Sequence, residues 1–210
     1  MLGIGAASWH RPYRALRQIV QEGLIGDVAQ IASQKSYKAG VRAPWYLKRA
    51  TYGGTIPWIG IHMIDLMRWA SGREYRQTFG FQSHVGFPEL GDMENVTGSL
   101  FKLDNGGVAV LRMDFLRPSK APGHGDDRLR LAGTKGVVEY QEATGLTLVT
   151  TDKAPTRIDP LPKSQSVFID FLNATYAGQP SGLPLADIYR VSEVALAAHE
   201  AAVHGRVISV

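Results

Sequence analysis

Apolar residues recur along this chain at two spacings, and the switch from one to the other predicts its elements. In RPYRALRQIVQE, residues 11–22, Leu16, Ile19 and Val20 form the three-to-four-spaced stripe of a helix. Pro12 suits its first turn and Gly23 its end. Ahead of it, residues 2–8 (LGIGAAS) read as a short strand. Residues 28–37 (VAQIASQKSY) change to a period of two, which puts Ser33, Lys35 and Tyr37 on one face of an extended segment. A loop with Pro44, Trp45 and Tyr46 follows and ends at Gly53-Gly54. TIPWIGIHMIDLMRWA then predicts a strongly apolar helix stopped by Gly72.

From there to about residue 151 the pattern is that of strands. VTGSLFKLD and VAVLRMDFL flank Asn105-Gly106-Gly107, a turn composition that favours a hairpin. In the second, Ala109, Leu111, Met113 and Phe115 alternate with Val110, Arg112 and Asp114, so one face is buried and the other wet. DRLRLAGTKGVVEYQ bends at Gly133 to Gly136, and TLVTT is a last strand. Two helices close the chain, one capped by Ser166 and stopped near Gly178, the other starting at Asp187 and ending at His204-Gly205. In the latter Ile188, Val191, Ala195, Ala198 and Ala202 keep helical spacing. Helices at both ends around an antiparallel-rich sheet predict an α+β layer domain over residues 1–210.

With 210 residues and 44% hydrophobic content, the chain is long enough for a core of its own. The absence of cysteine excludes disulfide scaffolds, Cys-ligated metals and thiol catalysis, and suits a cytoplasmic protein. No apolar run reaches the roughly 18–20 residues of a membrane span. Charge is uneven: residues 1–50 hold eight basic side chains against Glu22 and Asp27. Arg11, Arg14 and Arg17 share a helix flank, but no nucleic-acid motif accompanies them. A solvated face is the simplest account, and an anionic ligand is the alternative.

Gly3-Ile4-Gly5-Ala6-Ala7-Ser8 looks like a worn dinucleotide loop, yet two preceding residues make no strand and Ser8 replaces the third glycine. No cofactor-binding residue is assigned from it. The six histidines show no metal-ligand spacing, so no metal site is expected either. The anomaly is the apolar helix, where Trp58, His62 and Asp65 fall at i, i+4 and i+7 on one face. A His and an Asp on a buried helix need partners. His62 could exchange a proton with a substrate hydroxyl or carbonyl. Equally, it could be bonded to backbone, with Asp65 paired to Arg68.

GGTIPWIGIHMIDLMRWASG, residues 53–72, resembles a segment of the glucose–fructose oxidoreductase and inositol dehydrogenase family (Gfo/Idh/MocA): Gly-Gly, apolar residues, Asp, three residues, His, two residues, Asp, and a helix ending in Gly. RPYRALRQIVQEGLIGDV, RLRLAGTKGVVEY and the last helix before HGRVISV are similar to that family's C-terminal domain in the same order. The resemblance implies an α+β fold with a mostly antiparallel, open-faced mixed sheet and helices packed on one face, the substrate-binding domain of an NAD- or NADP-dependent oxidoreductase, a dehydrogenase acting on a sugar, polyol or related small molecule. It also implies homo-oligomers formed through the open sheet face. His62 would be the catalytic proton donor or acceptor. Trp58 stands where the family has its first Asp, and Asp65 matches the second. Lys35, on what reads as an exposed strand, Trp45, Trp58 and Asp65 are the candidate substrate contacts, suited to a polar or anionic ligand. The Rossmann domain and its Glu-Lys-Pro motif are absent from this sequence, so the chain is expected to be inactive alone, as a fragment or an N-terminally shortened product. The competing expectation is a non-catalytic binding or assembly module that has lost its cofactor half.

Overall fold

The period-two segment forms β1 (Val28–Tyr37), and the sheet is built outward from it on both sides. The computed structural model describes residues 10–163, 166–182 and 184–210. The strand and dinucleotide loop considered for residues 2–8 lie outside that range. The remaining strands are β2 (Tyr75–Ser83), β3 (Val96–Leu103), β4 (Val108–Asp114), β5 (Gly125–Gly133), β6 (Gly136–Gln141), β7 (Gly145–Thr150), β8 (Lys153–Arg157) and β9 (Ile208–Ser209). They form one sheet in the order β8-β7-β6-β5-β1-β4-β3-β2-β9. β1 pairs with β4 in parallel and with β5 antiparallel, and the other strand pairs are antiparallel. The architecture is the α+β domain that the sequence pattern predicts, with the mixed sheet that the resemblance implies.

Helix α1 (Arg11–Gln21) has Pro12 in its first turn, where a missing N–H costs nothing, and buries Tyr13, Leu16 and Ile19. It packs with α3 (Ile61–Ser71) and α5 (Leu185–His204) on one face of the sheet. Their apolar stripes meet Ile31 of β1, Phe101 of β3, Leu111 of β4 and Leu129 of β5 in one core. The hairpin alternation holds: Ala109, Leu111 and Met113 are buried, while Val108 and Val110 are exposed with Leu100 on the opposite, uncovered face. Gly106 at φ 87° makes the turn that joins β3 to β4.

The structure adds four features. First, the apolar helix is not uniform: residues Ile56–Gly60 form a single wide turn in which the Ile61 N–H reaches Ile56 O, and α3 begins only after it. Pro57 supplies no N–H there, so the regular bond ladder is already broken. Second, the loop before it contains the short α2 (Arg49–Tyr52) and a helical turn at Pro44–Leu47. Third, β8 is exposed throughout and so has no buried alternation to betray it. Fourth, α4 (Val167–Tyr176) is capped by Ser166 as expected but buries none of its residues; Phe168, Ile169, Phe171 and Tyr176 are exposed. Among the described residues no helix is long and apolar enough to cross a membrane.

Candidate functional site

β1 and β4 pair in parallel at the middle of the sheet, and α3 packs against β1. α3 runs over this pair with Met67 above Ser33, whose hydroxyl donates to the thioether at 3.1 Å. At its start, Gly60 lies against Met113, the residue in register with Lys35. A Cβ on Gly60 would sit 2.9 Å from the Met113 methyl, so glycine lets the wide turn approach the sheet closely. The turn carrying Trp58 and the first turn of α3 carrying His62 therefore lie beside the Lys35 end of β1.

Lys35 is not on an exposed strand. β1 is central, its odd positions face the helices, and Lys35 is 5% exposed. A buried ammonium needs a partner, and the fold supplies it from β5: Asp127 at 2.5 Å, with the Tyr37 hydroxyl accepting from Lys35 Nζ at 2.9 Å. Burial pulls the lysine pKa down, but Asp127 and Tyr37 together outweigh it and hold the ammonium above its usual range. The second Asp127 oxygen is enclosed without a donor.

Beside this group is a cavity of about 370 Å³. Three phenol rings wall it: Tyr13 from α1, Tyr37 from β1 and Tyr140 from β6. Tyr13 and Tyr140 meet edge to face at 5.0 Å between centroids. Asp127 and Glu142 are its charged groups, and His10 and His124 complete the lining. Burial raises all three tyrosine pKa values, so the phenols stay protonated at neutral pH and can both donate and accept hydrogen bonds.

On its other side Tyr37 packs against a second cluster that contains Phe115, Tyr52, Tyr46 and Ile59. Trp58 belongs to it, edge to face with Trp45 at 5.4 Å and Tyr46 at 5.3 Å. Both tryptophans keep about two-fifths of their surface in solvent, at 41% for Trp45 and 43% for Trp58. The face predicted from spacing is graded: Trp58 is exposed, His62 half-buried and Asp65 buried beside Tyr75, whose hydroxyl is pushed up by burial and then by the Asp65 charge. Arg68 is engaged by Glu74 at 2.5 Å and Asp187 at 3.0 Å.

Under the glycine pair lies a buried polar knot. Glu94 is ion-paired to Arg49 and accepts from the Thr55 N–H, while the Thr55 hydroxyl donates to Glu94 O at 2.6 Å. His199 of α5 stands against Gly54, its pKa lowered by burial and by Arg49. The basic flank of α1 faces backbone: Arg11 and Arg14 donate to the carbonyls of Leu161, Pro162 and Lys163, and Arg17 to Trp69 O. That accounts for these arginines without an anionic ligand.

Pattern reading of the sequence marked Lys35, Trp45, Trp58, His62 and Asp65 but missed Asp127, Tyr13, Tyr140 and Glu142 as their neighbours. The one available signal was Lys35 itself, a charge in phase with Ile31 and Ser33 on a strand whose inward face is apolar. Among the described residues no cluster of metal-type ligands occurs. Nor does a glycine-rich turn lead a strand into a helix N-terminus, so those residues offer no cradle for a dinucleotide.

A family model described as the GFO/IDH/MocA C-terminal domain matches residues 13–139. Among solved structures, a Thermotoga maritima chain assigned as an oxidoreductase is 33% identical, with a TM-score of 0.92 over 97% of this chain and 62% of its own. The aldose-aldose oxidoreductase of Caulobacter crescentus, complexed with glycerol, is 22% identical with a TM-score of 0.81, covering 97% of this chain and 62% of its own. An Agrobacterium radiobacter oxidoreductase in complex with NAD+, L-tartaric acid and magnesium is 18% identical with a TM-score of 0.79, covering 96% and 62%. The last two likenesses are of fold. The chain thus spans about three-fifths of the length of the structures it matches. No protein of curated function matches it.

Proposed function

The chain belongs to the GFO/IDH/MocA family as its C-terminal domain, and from that premise we propose that it is the substrate-binding half of a nicotinamide-dependent oxidoreductase acting on a sugar, polyol or related small molecule. The observation that carries this reading is the cavity walled by Tyr13, Tyr37 and Tyr140, of which Tyr37 also packs into the aromatic cluster that holds Trp58. Protonated phenols, a carboxylate and aromatic faces are what a polyhydroxylated ligand needs for hydrogen bonding and stacking. In this reading His62 gives or takes the proton at the substrate oxygen, and Lys35 acts through Tyr37 by fixing its hydroxyl. Trp45 and Trp58 offer exposed aromatic faces in the neighbouring cluster for substrate contact, and buried Asp65 holds the helix. NAD or NADP, held by residues outside those described, supplies or takes the hydride; relatives of this fold carry NAD+ or NADH.

The indole of Trp58 cannot share a proton with His62 as a carboxylate would, so proton transfer rests on the histidine without that partner. Homo-oligomers form through the uncovered sheet face, where Leu100, Val108 and Val110 are exposed. The 210-residue chain titrated with NADH should show no saturable change in nicotinamide fluorescence up to millimolar cofactor; micromolar binding would refute the division of labour. Fusing the part of the NAD+-bound Agrobacterium radiobacter oxidoreductase that this chain does not match ahead of His10 should give polyol-dependent NADH formation that His62→Ala removes. A well-folded fusion that binds NADH and turns over no polyol or sugar would favour a non-catalytic module.

A further inference from the structure

We propose that the cavity beside Asp127 selects a sugar or polyol bearing an amino group over its acidic counterpart, an inference that rests on the reading of this cavity as the substrate site. Three observations lead to it. The cavity is an open cleft walled by tyrosines that holds about 370 Å³, near the lower end of the roughly 300–1,000 Å³ of small-molecule sites, so it suits a single small polyol. Its lining carries two carboxylates, Asp127 and Glu142, and neither lysine nor arginine. Lys35, paired to Asp127 and bonded to the Tyr37 hydroxyl, does not line the space.

The local balance is therefore one negative charge in excess: Lys35 answers Asp127, and Glu142 forms no ion pair among the described residues. A ligand carboxylate would enter as a third anion, with neither lysine nor arginine in the lining to meet it and only the imidazoles of His10 and His124. A ligand ammonium would find the Glu142 carboxylate and the faces of three phenol rings, which attract cations. This reverses the preference for anions that Lys35 suggests when the strand is read in isolation. It also runs against the net charge of the chain, +4, which by itself would draw anions. A preference for the amine therefore has to arise locally.

The test is calorimetric titration of the full 210-residue chain, at pH 7.5 and low salt, with three compounds on one carbon skeleton: D-glucamine, D-glucitol and D-gluconate. D-Glucamine should bind about tenfold more tightly than D-glucitol, and D-gluconate about tenfold more weakly, on the order expected for one charge a few ångströms from another at a partly hydrated site. Glu142→Gln should remove most of the amine preference, bringing the D-glucamine and D-glucitol affinities together. Equal or tighter binding of D-gluconate would overturn the inference and leave the substrate-site reading standing, provided that Tyr140→Ala weakens all three compounds. Should none bind, or should binding survive Tyr140→Ala unchanged, the substrate-site reading fails and this inference with it.

Discussion

Replacing Asp127 by Asn removes one charge from the buried pair on β1 and β5 while keeping the shape of the side chain. Lys35, 6% exposed in its side chain, would lose the carboxylate 2.5 Å away and keep only the Tyr37 hydroxyl at 2.9 Å. Breaking a fully buried pair costs about 3–5 kcal/mol. The Asp127 side chain is 31% exposed beside a cavity, and the amide oxygen can still accept, so the expected loss is about 2 kcal/mol. In a domain of this size that lowers Tm by roughly 4–8 °C. Lys35→Met leaves an apolar stem on the central strand and a carboxylate with a route to water, so it should cost about 1 kcal/mol or less. The double variant should then lie close to Lys35→Met alone, with a coupling of at least about 1 kcal/mol. Lys35 is held above its ordinary value of 10.5, so its contribution is whole below that pH and is lost only as pH climbs through the raised value. Urea unfolding at pH 7.5 by circular dichroism therefore reads the full effect. Additive losses, or an Asp127→Asn cost under about 0.5 kcal/mol, would refute the claim that Lys35 is held by this pair.

Gly54 lies at φ 119°, and a Cβ there would stand 2.6 Å from the His199 ring, so Gly54→Ala should cost about 2–4 kcal/mol. Gly60→Ala meets only the end of the flexible Met113 side chain and should cost less than about 1 kcal/mol; matched urea midpoints would show whether the two differ in this order. His199 is depressed below 6.5 by burial and Arg49, so its contribution is complete above that pH and declines as pH falls toward the lowered value, where the unfolded chain takes up the proton first. Tm measured from pH 7.5 to 5.5 should fall less steeply in His199→Asn than in the parent, and parallel curves would contradict this. Trp58→Ala should cost only about 1 kcal/mol because the ring is 43% exposed, yet should alter the near-ultraviolet dichroism that its edge contacts with Trp45 and Tyr46 produce; an unchanged spectrum would argue against that cluster.

The amino-acid sequence determined every element whose apolar residues keep a period: α1, β1, the β3–β4 hairpin, the bend between β5 and β6, β7 and both closing helices. The reason is that periodicity states which side of an element avoids water, and turn residues state where it stops. It also placed Trp58, His62 and Asp65 on one helix. What periodicity does not carry is the identity of the opposite wall. That β1 is central rather than exposed follows from strand order, and strand order depends on contacts between segments far apart in the chain. Lys35 meets Asp127 across 92 positions, and Tyr13, Tyr37 and Tyr140 come from two strands and a helix with no common pattern. The wide turn at Ile56–Gly60 needed both Pro57, visible in the sequence, and Met113 beneath Gly60, visible only in the fold. Charge acts over space and not along the chain, so whether Lys35 faces an anionic ligand or is already answered by Asp127 was decided by tertiary structure alone.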